Sequence, residues 1–108
     1  MTREETLDLL TRLCRAHSPG GYDAEIDPLT AELFGHYGAE CQRDPAGNLY
    51  VVRPGREPGR RVIITAHKDE LGVIVKRVEH DGRLQVRPIG AVWPWAYGEG
   101  PMDVLGTD

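Results

Sequence analysis

The stretch Arg61-Val62-Ile63-Ile64-Thr65-Ala66-His67-Lys68-Asp69-Glu70-Leu71-Gly72 decides how this chain is read. Its first half is a continuous β-branched run bounded by charge, the composition of a strand buried on both faces in the middle of a sheet. Its second half sets a histidine and three charged residues directly after that run. In open α/β sheets, ligands gather beyond the carboxyl ends of strands, where side chains leave the core and converge on a crevice. A neutral imidazole at His67 suits a divalent metal there. Asp69, two residues on, falls on the same side of an extended backbone and is placed to hold the other ring nitrogen. On spacing alone the pair reads equally as a polar strand terminus followed by a solvated turn. One histidine and one aspartate also fall short of the roughly three protein ligands of a catalytic zinc.

Downstream, residues 71–78 and 84–89 read as two further strands joined by Glu79-His80-Asp81-Gly82, a hairpin turn with Asp-Gly at its tip. The tail from Gly90 is rich in Gly, Pro and aromatics. Its Trp93, Pro94, Trp95 and Tyr97 form either an interface patch or a group tucked into the domain. Upstream, residues 39–43 and 49–53 are short strand candidates around the turn Asp44-Pro45-Ala46-Gly47-Asn48, and 54–60 reads as an exposed loop.

Two amphipathic helices come first. Thr2 and Glu5 have the spacing of a capping box, and Leu7, Leu10, Leu13 and Cys14 recur at helical intervals until Ser18-Pro19-Gly20-Gly21 stops them. The second helix carries Ile26, Leu29, Leu33, Phe34 and Tyr37 on one face and stops at Gly38. It begins either at Pro28 under an Asp27 cap or at a turn near Tyr22, and the longer version is preferred. Helices followed by a buried strand and a hairpin predict an α/β layered domain.

Composition narrows the function. With 13 basic and 17 acidic residues the net charge is −4, which argues against nucleic acid as the main partner. There is no apolar run of membrane-spanning length. The start is charged, without an apolar signal core, and the two cysteines, Cys14 and Cys41, are isolated, so a reduced cytoplasmic setting is expected. Of the other histidines, His17 and His36 fall near helix ends, where a cation suits the dipole, and His80 falls in the hairpin turn.

Taken in order, these pieces resemble the N-terminal part of the glutamyl-aminopeptidase family, which includes the tetrahedral TET aminopeptidases and proteins once labelled cellulase M. The matching residues are Leu13-Cys14, then Ser18-Pro19-Gly20-Gly21-Tyr22, then Asp44-x-x-Gly47-Asn48. They continue through Ala66-His67-x-Asp69-Glu70-Leu71-Gly72, Asp81-Gly82 and Arg87-Pro88-Ile89-Gly90. The resemblance implies helices packed on a mixed sheet, the N-terminal portion of a phosphorylase/hydrolase-like di-zinc peptidase domain. Residues 1–92 would belong to that catalytic domain. Residues 93–108 would be the truncated start of an inserted β-domain of dimerisation type, with 102–105 its first strand.

The resemblance further implies a metallopeptidase that removes N-terminal residues from peptides with two divalent ions, zinc or cobalt. His67 would be a ligand to one ion and Asp69 the catalytic-site carboxylate that orients it. The remaining ligands and the proton-shuttling glutamate would lie beyond residue 108, leaving at most a partial metal site here. Glu70 is expected to make a local polar contact near the site, and Lys68, if the strand persists, to project to the opposite side, away from the metal. The full-length protein would be a homo-oligomer, and the isolated chain inactive. The competing expectation is a non-catalytic binding or assembly module, or a vestigial domain, that needs a second chain to complete any site.

Overall fold

The computed structural model describes residues 1–56, 59 and 61–106, which form two compact units, Met1–Glu70 and Leu71–Asp108. Helix and strand are both present, and the described residues make a small α/β structure.

In the first unit, helix α1 spans Arg3–Arg15 and starts on the capping box read from the sequence. The Thr2 backbone N–H donates to Glu5 Oε2 at 2.6 Å, and the Glu5 N–H donates to Thr2 Oγ1 at 3.2 Å. Two backbone donors that the helix itself leaves unpaired are thereby satisfied. Helix α2 spans Ile26–His36, between the two starts expected for it. Pro28 therefore sits inside the first turn, where its missing N–H has no intrahelical partner to lose. Asp27 is a first-turn residue and not the cap. Arg12 on α1 and Glu32 on α2 are joined at 2.7 Å.

Strands β1 (Gln42–Arg43) and β2 (Leu49–Tyr50) pair antiparallel across the turn at 44–48. Asp44 organises that turn: its carboxylate accepts from the backbone N–H of Ala46 and Asn48 and from Asn48 Nδ2 at 2.8–2.9 Å. The buried apolar residues among those described are Ile26 and Ala39, with Ser18 the buried polar one.

The second unit is the expected hairpin, β3 (Gly72–Val78) against β4 (Leu84–Ile89), antiparallel with an irregularity between Val75 and Arg77. Its turn closes by Gly82 N–H to Glu79 O and Glu79 N–H to Arg83 O. Gly82 sits at φ +86°, a left-handed conformation that glycine adopts without strain. A 3₁₀ turn, Pro94–Tyr97, follows, and Tyr97 Oη donates to Gly72 O at 2.8 Å. Trp93 and Trp95 are exposed and stacked on each other, with ring centroids 5.1 Å apart. Residues 101–106 take no regular secondary structure.

Two expected strands, at 61–66 and at 102–105, do not form. The run at 61–66 forms no strand, and Val62, Ile63 and Ile64 are 76%, 83% and 94% exposed. In place of a mixed sheet, the described residues form two separate antiparallel pairs and one isolated parallel bridge, Pro19 with Glu70. β-branched residues favour extended backbone, but a strand exists only where a neighbour completes its ladder, and no described residue pairs with 61–66. The expected strands at 39–43 and 49–53 shorten to two residues each for the same reason. Of the expected loop at 54–60, residues 57, 58 and 60 lie outside the described residues.

Candidate functional site

Residues 67–70 alternate in what they do, as side chains of extended backbone must. His67 and Asp69 are on the open side, their side chains 85% and 60% exposed. The His67 Nδ1 lies 2.8 Å from the carbonyl oxygen of Asp69 and 3.3 Å from its Oδ1. Both of those atoms are acceptors only, so Nδ1 carries the proton and donates. The neutral ring is then the Nδ1–H tautomer, with the Nε2 lone pair left free. Asp69 thus lies against the ring, its backbone carbonyl nearer to Nδ1 than its carboxylate.

Lys68, half-buried, and Glu70, exposed, instead contact other parts of the unit. The Lys68 ammonium pairs with Asp27, lies 3.2 Å from Asp23 Oδ1 and donates to the Gly47 carbonyl at 3.1 Å. Arg43 completes the group, reaching Asp23 Oδ2 at 3.2 Å and Asp27 Oδ2 at 3.1 Å. Each cation touches both aspartates, a closed square of two positive and two negative charges. Desolvation pulls the Lys68 pKa down, but the hydrogen bonds and charges of Asp27 and Asp23 outweigh it, and the pKa is raised above the usual lysine value. The place of Lys68 at the centre of an ion-pair network was not foreseen.

Glu70 contacts a residue 52 positions away, not a local one. Its Oε1 accepts from the Ser18 N–H at 2.8 Å, and its own N–H donates to Ser18 O at 2.9 Å. Glu25 occupies the N-cap position of α2 without a side-chain capping bond; its carboxylate instead accepts from His17 N–H and Nδ1 at 3.0 Å. The backbone bond and then the ring bond from His17 hold the Glu25 pKa below the ordinary carboxylate value. The Asp44 pKa is lowered in the same way, first by the Asn48 side-chain amide and then by backbone donors of its turn. His17 lies two residues past the end of α1, His36 packs edge-on against Tyr37 at 5.1 Å, and His80 is exposed in the hairpin turn.

The donor chemistry at 67–69 fits one coordination position of a divalent metal, an imidazole with a free Nε2 and an oriented ring. Among the described residues no group of three or more His, Cys, Asp or Glu side chains gathers to hold an ion.

Comparison with known proteins gives the family of this chain. Residues 47–108 match the model of the M42 glutamyl aminopeptidases. YhfE of Bacillus subtilis (strain 168), which carries an aminopeptidase assignment, is 35% identical over 86 residues, covering 80% of this chain and 25% of the relative. A lysyl aminopeptidase of Pyrococcus furiosus is 30% identical over 88 residues, 81% of this chain and 25% of the relative. A glutamyl aminopeptidase of Lactococcus lactis subsp. cremoris is 27% identical over 88 residues, 80% of this chain and 24% of the relative. The chain thus spans about a quarter of the length of these relatives. With most of its length matched by the family model, and with His67 and Asp69 inside that match, the chain belongs to the M42 glutamyl aminopeptidase family.

Proposed function

We propose that these 108 residues are the N-terminal part of a metal-dependent aminopeptidase that hydrolyses N-terminal residues from peptides. The observation that carries the reading is the His67 ring, held through Nδ1–H by Asp69 so that Nε2 is free, within the segment matched by the family model. His67 Nε2 would hold one of two divalent ions, zinc or cobalt. Asp69 would keep the ring in its tautomer and raise the basicity of the ligating nitrogen. Two such ions, when bound, acidify a water and polarise the scissile carbonyl. The other ligands and the proton-shuttling glutamate would come from chain beyond residue 108. The apolar run at 62–64, exposed here, is suited to an inner strand of a mixed sheet completed by that further chain. Residues 93–108 would lead into an inserted β-domain that supports homo-oligomer formation.

The test is hydrolysis of aminoacyl chromogenic substrates with added Zn²⁺ or Co²⁺ by the protein encoded by the complete reading frame. His67→Ala is expected to lower kcat/KM by at least about 100-fold, and Asp69→Asn by about 10- to 100-fold, the usual cost of losing a group that orients a ligand. Residues 1–108 alone are expected to show no turnover. Full metal-dependent activity in His67→Ala, or robust cleavage by residues 1–108 alone, would overturn the reading.

A further inference from the structure

The alternation at 67–70 separates two jobs. His67 and Asp69 present the open imidazole, while Lys68 and Glu70 tie the same few residues to three distant parts of the first unit. Lys68 reaches Asp23 and Asp27 at the entry to α2 and the Gly47 carbonyl of the 44–48 turn. Glu70 is bonded twice to Ser18, in the break after α1. The run at 61–66 has no ladder partner among the described residues, so sheet hydrogen bonding does not hold the backbone leading into His67. The side chains of 68 and 70 supply that restraint instead. Asp27, at 15% side-chain exposure, is the most sheltered carboxylate of the charge square, and it meets Lys68 and Arg43 from opposite carboxylate oxygens. Arg43 in turn crowds Gly47, its guanidinium 3.4 Å from where a Cβ would stand, so turn, helix entry and Lys68 are packed as one body.

We propose that Lys68 is a positioning residue. Through Asp23 and Asp27, and with the Glu70–Ser18 bonds as a second point, it fixes the backbone so that Asp69 keeps His67 in the Nδ1–H tautomer with Nε2 open. This rests on the reading of His67 as a ligand, and it assigns the lysine a part that its position between two site residues does not reveal.

The experiment uses the full-length protein and two readouts. One is the ¹⁵N chemical shifts of the His67 ring in the metal-free protein, recorded on the basic plateau of a pH series, where they no longer change. The other is His67-dependent Co²⁺ affinity. Lys68→Met keeps the length of the side chain and removes its charge, while Arg43 still bridges both aspartates. It is expected to mix the two ring tautomers and weaken Co²⁺ binding roughly tenfold, the lower end of the cost of losing an outer-shell partner. Asp27→Asn should do the same, the double variant should be no worse than either single one, and Lys68→Arg should retain the wild-type behaviour. If Lys68→Met does not fold, Asp23→Asn, which leaves the contacts to Asp27 in place, decides the same comparison. Wild-type ring shifts and Co²⁺ affinity in Lys68→Met, whether or not its melting temperature falls, would overturn the proposal. If the wild-type protein shows no Co²⁺ binding through His67, the metal reading fails while the ring shifts still decide the positioning role.

Discussion

Truncating Glu70 to alanine separates a buried backbone donor from its acceptor. Ser18 is 6% exposed, and its N–H donates to Glu70 Oε1 at 2.8 Å, whereas the Ser18 carbonyl is served by the Glu70 backbone N–H at 2.9 Å. Glu70→Ala therefore removes one bond of the two and leaves the Ser18 N–H sheltered without a partner. A hydrogen bond to a charged group contributes about 1.5–3 kcal/mol net. Glu70 is exposed, and water screening its charge brings the contribution to the bottom of that range or just below it, about 1–2 kcal/mol. If the loss is local, hydrogen exchange at the Ser18 amide should speed up about 5- to 30-fold. Glu70→Gln keeps a neutral acceptor at the same reach and should cost about 0.5 kcal/mol, an acceleration of roughly twofold. Native-state exchange followed by NMR in the full-length protein reads all three proteins at one amide. Ser18 protection in Glu70→Ala within about twofold of wild type would refute the reasoning, because the bond would then restrain nothing.

Two further outcomes follow from the first unit. The lowered pKa of Asp44 means its carboxylate stabilises the 44–48 turn above the ordinary aspartate value, and the contribution is lost as pH falls through the lowered folded-state pKa. Amide shifts of Ala46 and Asn48 should therefore move with the Asp44 carboxyl ¹³C signal in that acid window and stay flat in Asp44→Ala. Gly38 and Gly47 sit at φ +69° and +88°, so alanine at either should cost about 1 kcal/mol in denaturant unfolding. Only at Gly47 does the new methyl meet Arg43 and Asp23, so only Gly47→Ala should also shift the Arg43 Nε–H resonance.

What could be read from the sequence was what neighbours in the chain decide. The α1 cap is an exchange between Thr2 and Glu5, the 44–48 turn is an exchange between Asp44 and Asn48, and the hairpin turns where Gly82 permits it. Each closes within a few residues, so composition and spacing suffice. The His67–Asp69 pair was legible for the same reason, being a contact across two positions. The strand at 61–66 was misjudged because periodicity reports a preference for extended backbone, not the presence of a partner. The α2 start was misplaced because Pro28 is tolerated anywhere in the first turn of a helix and not only at its first position.

By itself, then, the sequence determined the helix cap, the turns, the hairpin, the His67–Asp69 pair and the family. Only the tertiary structure decided what holds that pair in place. Positions 23, 27, 43 and 68 carry unremarkable surface charges when read along the chain, and Ser18 and Glu70 lie 52 residues apart. Coulomb attraction and hydrogen bonding act over a few ångströms, so such partners are chosen by how the chain returns on itself and not by their spacing along it.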